Sequence, residues 1–403
     1  MAESAPFSRR RPQRSRPHGM ILLRTDRRRY GGNVMTPFRT LLITLACLGF
    51  SAGLVAAPPN KYVDVRIGGK SHIGTVTAHT DTDFWLLERD GRLNVFPTAD
   101  VSDYQPLPGR MRPFTAAELR SQLILEFGHD YEVTGSTHYL VADANGQSEQ
   151  YASLFEELYR HTFVYFSARG FHIHEPEFPM IAIVFPDQEA FSEYCMEEKV
   201  NPQPGLVGYY MPSSNRVALY DSTSSGRSET AVDSTIIHEA VHQAAFNLGL
   251  HRRIGETPLW VVEGLAMTFE SENFRNPVPG MSPASRINPE RYARFQNLMS
   301  QRKQTKSLED LIKDDQLFKT ATLDAYARSW ALTFYLLQTR ESQYSQYLKL
   351  INARPLLSPY PPEARLADFR KIFGKDLNQL ELQLVRYMNE LTEKTEYFDP
   401  PSE

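Results

Sequence analysis

The feature that most constrains this 403-residue chain is the run Ile236-Ile237-His238-Glu239-Ala240-Val241-His242-Gln243. It reads H-E-x-x-H with apolar residues on both sides. On a helix, side chains four apart sit about 40° apart around the axis and one turn along, so both imidazoles can reach one ion. Glu239 then leans beside that ion, where a general base for a metal-activated water belongs. Thr230 with Asp233 gives an N-terminal helix signal, and Gly249 is a natural stop. Val232, Ile236, Ala240 and Ala244 mark one apolar face, with Ile237, Val241, Ala245 and Leu248 beside it. A helix apolar nearly all round is buried, and two histidines and a carboxylate on it need partners. Zinc is the expected partner. The ordinary alternative, a chance copy of the motif, sits more readily on an exposed, polar helix.

A second signal follows. Pro258-Leu259-Trp260-Val261-Val262-Glu263-Gly264-Leu265-Ala266 opens another helical stretch, with Glu263 inside an otherwise apolar run. That is an odd place for a carboxylate. A catalytic zinc takes three protein ligands and keeps one position open, and His, His, Glu is one such set. Taken alone, Glu263 reads as a surface or capping residue; beside the H-E-x-x-H run it is the expected third ligand.

H-E-x-x-H followed by a helix carrying W-x-x-E-G-x-A resembles the gluzincin zinc metallopeptidases, and more narrowly the bacterial peptidase-MA-like domains of unknown function. The resemblance covers roughly residues 130 to 395 and is strongest at 205–270. It implies a zincin-like fold, peptide hydrolysis, His238, His242 and Glu263 as zinc ligands, and Glu239 as the base. It also implies a Tyr or His downstream of the third ligand that stabilises the oxyanion. Tyr326, in Tyr326-Ala327-Arg328-Ser329-Trp330, is the candidate; packing against Trp330 one turn on is the bland reading, and Arg328 reads as surface. The chain departs from the family pattern in two places. It has no G-x-M-E-N, the signature that captures a substrate amine, so aminopeptidase activity is not implied. The position four after Glu263 is Met267, where some relatives carry an acidic residue behind the ligands.

The remainder of the chain frames this unit. Residues 1–34 are rich in Arg, Pro and Ser and too polar to pack; they read as a basic leader upstream of a true start at Met35. Residues 35–57 carry Arg39, the apolar run Leu41–Phe50 and a small-residue end at Val55-Ala56-Ala57, the pattern of a signal peptide, and the apolar run is short for a membrane span. The expected location is therefore exported, periplasmic or secreted, with no stable membrane span after cleavage. Residues 1–57 hold ten Arg, no Lys and two acids, so the rest has 34 basic and 46 acidic residues, a net charge of about −12. An acidic exported protein has no general pull on nucleic acid. Loss of Cys47 with the leader leaves Cys195 unpaired, read as a buried thiol.

The fold class expected is α+β. Residues 58–107 alternate as short strands, with Asp90-Gly91 as a hairpin turn, and resemble a small SH3-like β-barrel. Residues 108–129 are a linker and helix, 130–275 a zincin-like catalytic domain with a mixed sheet and an active-site helix, and 276–403 its helical C-terminal part. Met180–Phe185 is a continuous apolar strand, hence central. Gly208–Met211 and Arg216–Tyr220 flank the turn Pro212-Ser213-Ser214-Asn215, a hairpin just before the metal helix whose edge strand could take a peptide as an added strand. Tyr209 and Tyr210 line the cleft or pack. His251, His172 and His174 are further ligand types in principle. No internal repeat, phosphate-cradling Gly loop or nucleophile elbow is visible. The expected partner is a peptide or protein substrate. Two rivals are kept, a zinc amidase acting on cell-wall peptides and a non-catalytic binding or scaffold protein.

Overall fold

The structure, a computed structural model, describes residues 61–202, 205–220, 229–301 and 307–393. The expected leader and signal peptide lie outside them, as do the side chains of Thr230, Val232 and Asp233. The described residues form a mixed α+β protein with thirteen α-helices and two five-stranded sheets.

The first sheet consists of β1 (Lys61–Ile67), β2 (Lys70–His79), β3 (Asp83–Glu88), β4 (Leu93–Pro97) and β5 (Val101–Pro106). It is antiparallel throughout, in the order β4-β3-β2-β1-β5. Inward residues Val63, Val65, Val76, Phe84 and Leu86 make a small core of their own. The expectation of an SH3-like barrel needs correction: β4 and β5 do not pair, and the sheet stays open. Each of these short edge strands ends on a proline, Pro97 and Pro106, which has no N–H to give to a closing ladder. β5 is not distinguished as a strand from sequence, because nearly all of it is exposed and it lacks apolar alternation.

The second unit opens with α1 (Ala116–Phe127), whose Thr115 and Glu118 form a reciprocal capping box. Then come β6 (Glu132–Gly135), β7 (Tyr139–Asp143), α2 (Ser148–Ala168), β8 (Met180–Phe185), α3 (Gln188–Glu197), β9 (Gly208–Met211) and β10 (Arg216–Tyr220). The sheet order is β6-β7-β8-β10-β9, with β7, β8 and β10 parallel and the two outer strands antiparallel to their neighbours. β8 is central and buried along its whole length, as its unbroken apolar run requires. Alternate residues feed two cores. Val141, Met180, Ala182 and Val217 face α2 and the metal-motif helix, while Leu140, Ile181, Ile183 and Ala218 face α1 and α3. Cys195 is free and buried in the second of these.

The H-E-x-x-H run lies on α4 (Glu229–Asn247), packed on the sheet face beside α2. Gly249, at φ +80°, ends it; a Cβ there would come within 2.5 Å of His174 Nε2. α5 (Leu259–Phe269) follows, then α6 (Glu272–Arg275), α7 (Pro289–Ser300), α8 (Leu308–Lys313), α9 (Gln316–Thr320), α10 (Thr322–Thr339), α11 (Glu341–Asn352), α12 (Pro362–Phe373) and α13 (Leu377–Glu393). α10 runs through the middle of this helical part and packs along α5. Arg328 is accordingly buried rather than at the surface, with its nearest carboxylate, Glu381, 3.7 Å away. Among the described residues no helix is long and apolar enough to cross a membrane.

The open sheet is fastened to the β9–β10 hairpin. Leu93 N–H donates to Ser213 O at 2.7 Å. Arg253, just beyond α4, donates to the carbonyls of Pro212 (2.6 Å), Ser213 (2.9 Å) and Gly91 (2.7 Å).

Candidate metal centre

Two buried helices build the centre. On α4, one helical turn separates His238 from His242, and both rings turn toward α5, with Nε2 to Nε2 3.0 Å. From α5, Glu263 points back, its Oε2 3.3 Å from His238 Nε2 and its Oε1 3.8 Å from His242 Nε2. These three residues can offer ligand atoms within 4.8 Å of one another, and all three are buried. The close approach of α5 to α10 depends on Gly264. A Cβ there would fall 2.6 Å from the carbonyl oxygen of Ser329, so the glycine after Glu263 lets α5 sit where its carboxylate meets the histidines.

The residues fit a metal ion. Glu263 Oε2 is buried without a hydrogen-bond partner, a costly state for a carboxylate oxygen. Ligands at about 2.1 Å around a tetrahedral ion stand about 3.4 Å from each other, and the spacings here, 3.0, 3.3 and 3.8 Å, straddle that value. Two imidazoles and one carboxylate suit zinc or a similar borderline ion.

Behind His238 stands Glu270, at the C-terminal end of α5. His238 Nδ1–H donates to its Oε1 at 2.8 Å, and Asn288 Nδ2 donates to its Oε2 at 2.6 Å. A carboxylate only accepts, so this bond puts the proton on Nδ1 and leaves Nε2 for the ion. Against the effect of burial, the His238 bond and then the nearby Arg291 charge hold the Glu270 carboxyl below its ordinary range. Burial lowers the affinity of His238 for a proton, but the carboxylates of Glu263 and Glu270 outweigh it and bring its pKa to about 10. Burial and the neighbouring His238 charge push His242 well down. The pair thus carries one proton on the inner side, which a metal ion would displace.

Glu239 is buried next to the triad. Its Oε2 accepts from the backbone N–H of Tyr210 at 2.7 Å, on the outer edge of β9. Burial, reinforced by the Glu263 charge, raises its pKa to about 7. Tyr326, on α10, is buried with its ring 5.9 Å from Phe318 and 5.6 Å from the Arg291 guanidinium. Burial and then the charge of Glu263 hold its phenol well above the ordinary range, so it lies within electrostatic reach of the triad.

The structure therefore brings His238, Glu239, His242, Glu263 and Tyr326 into one neighbourhood. His172 and His174 are exposed and stand outside the cluster, as does the buried His251. Tyr209 and Tyr210 are buried as packing rather than lining an open cleft; what Tyr210 offers the centre is its backbone N–H. Sequence reading holds Glu270 only as a substitute third ligand, should Glu263 not be one, and misses its place behind His238, although it lies seven residues after Glu263, two turns along the same face. It also missed the stripe Glu239, Gln243, Asn247, four residues apart each time, which faces the β9–β10 hairpin.

A comparison with curated proteins finds no match for this chain. Residues 232–357, a span that runs from α4 past the end of α11 and contains the triad, Glu239, Glu270 and Tyr326, are similar to a family described as a protein of unknown function (DUF1570).

Proposed function

We propose that this protein is an exported zinc-dependent peptidase of the gluzincin, peptidase-MA-like type. The observation that carries the reading is the buried triad with an orphan carboxylate oxygen on Glu263 and a second buried carboxylate, Glu239, beside it. His238, His242 and Glu263 would hold the ion. Bound zinc supplies a Lewis acid that polarises a carbonyl and brings the pKa of water toward about 7. Glu239, whose own pKa of about 7 suits proton exchange near neutrality, accepts the proton of the attacking water and returns it to the leaving amine. Glu270 fixes the tautomer and orientation of His238. Tyr326 donates toward the developing oxyanion. The outer edge of β9 takes an extended peptide as an added strand beside Glu239. Export rests on the sequence pattern of residues 35–57, with a mature N-terminus near Pro58.

The decisive experiment compares cleavage sites generated across a proteome by the zinc-loaded protein and by its Glu239→Gln variant. New peptide termini that depend on Glu239 support the reading. Zinc-loaded protein that makes none, or makes the same set with either residue, sinks it; release of cell-wall peptides alone would move the assignment to a zinc amidase.

A further inference from the structure

α4 presents a polar stripe to the β9–β10 hairpin, and the stripe is hydrogen-bonded along its length. Glu239 accepts from Tyr210 N–H. One turn on, Gln243 Nε2 donates to Asn215 O at 2.8 Å and to Ile181 O of β8 at 3.0 Å. One turn further, Asn247 meets the Asn215 side chain in both directions, Asn215 Nδ2 donating to Asn247 Oδ1 at 3.0 Å and Asn247 Nδ2 donating to Asn215 Oδ1 at 2.8 Å. Tyr210 O–H closes the network on Asn215 Oδ1 at 2.9 Å. Tyr210, Asn215, Gln243 and Asn247 are all buried.

A hairpin packed on a helix needs no such network; apolar contacts would hold it, and buried amides are costly, the more so here because Gln243 Oε1 is left without a partner. What paired amides add is register, because a slip of one residue breaks every bond at once. Asn215 is also the turn residue that takes the left-handed conformation, φ +59°, where Asn is tolerated better than most residues. Its side chain and carbonyl are therefore aimed at α4 by the turn itself.

We propose that Asn215, gripped by Gln243 and Asn247, is a positioning residue that sets the register of β9 on the metal-motif helix and thereby holds the Tyr210 N–H against the Glu239 carboxylate. This rests on the peptidase reading only for its consequence in catalysis. The tether itself is a property of the metal-free fold. The orientation of Glu239 then depends on a turn that supplies no ligand itself, and the edge strand offered to a peptide is fixed by the same bonds.

The test uses the full-length protein. Asn215→Gly keeps the left-handed backbone available and removes only the carboxamide; Tyr210→Phe removes a single hydrogen bond and keeps the ring. Amide hydrogen exchange is read in the metal-free state, zinc binding by titration with zinc alone, and hydrolysis on labelled casein. In Asn215→Gly the Tyr210 amide should exchange roughly tenfold faster, with a smaller change in Tyr210→Phe, while the amides of Val217 and Leu219, on the β8 side of β10, keep their protection. Zinc stoichiometry and affinity should be unchanged, and casein hydrolysis should fall about ten- to a hundredfold in kcat with KM little altered. Unchanged exchange at Tyr210 in both variants overturns the proposal. So does an equal loss of protection at Val217 and Leu219, because the network would then serve general stability. Wild-type protein that binds zinc and leaves casein and other peptides uncut overturns the peptidase reading and not the tether, which the Tyr210 amide decides.

Discussion

His238 Nδ1 and Glu270 Oε1 are 2.8 Å apart, although the residues lie 32 positions apart on different helices. The bond fixes which nitrogen of His238 faces the triad. Loss of a carboxylate of this kind costs about 10–100-fold in metal affinity in comparable sites. Glu270→Ala should therefore weaken zinc binding by that factor while the ligand set stays intact. Competition against a chelator of known affinity measures it, and unaltered affinity would remove Glu270 from the centre.

Glu239→Gln keeps the size of the side chain and an acceptor for Tyr210 N–H, but it cannot take a proton from water. Zinc content and thermal stability should match wild type, with hydrolysis lower by about 10²–10⁴-fold. A metal-replete variant cleaving at the wild-type rate would refute the assignment of the base.

Zinc at about 100 times its Kd should stabilise the fold by about 2.7 kcal/mol, and a chelator should reverse this. In Glu263→Ala the stabilisation should largely vanish, because two histidines remain. Melting curves with and without zinc check both. If Glu263→Ala is stabilised as much as wild type, the third ligand lies elsewhere.

His251 gives the fold an acid-sensitive point outside the triad. It is buried against Phe246, both ring nitrogens lack a hydrogen-bond partner, and burial lowers its pKa to about 3. The unfolded imidazole titrates near 6.5. Between these values the unfolded chain binds more protons, so the contribution is fully present above about pH 6.5 and falls with pH by about 1.4 kcal/mol per unit toward pH 3. His251→Phe should gain about 2 kcal/mol on wild type between pH 7 and pH 5. Denaturant titrations at the two values measure the difference; identical pH dependence would mean that His251 is not held neutral.

The sequence by itself determined the elements that hold the candidate centre. Periodicity and punctuation placed α4, the β9–β10 hairpin, the central β8 and most of the C-terminal helices, because local patterns of burial and turn residues are written within a few positions of one another. It named His238, Glu239 and His242 for the same reason, since a spacing of four on a helix is itself a three-dimensional statement. Glu263 was reached because a carboxylate in the apolar run of α5 needed an explanation. Short, polar or edge elements such as β5, α6 and α9 were not legible, because their conformation is set by neighbours rather than by their own pattern. Whether the first sheet closed was undecidable from its strands, since closure depends on the meeting of β4 and β5, which are not neighbours in the sheet. Only the tertiary structure decided that Glu270 rather than position 267 backs His238, that Arg328 is buried, and that Glu239, Gln243 and Asn247 read the hairpin. Each of these depends on the angle and separation at which two elements pack, and no residue records its partner's position in its own neighbourhood of the chain.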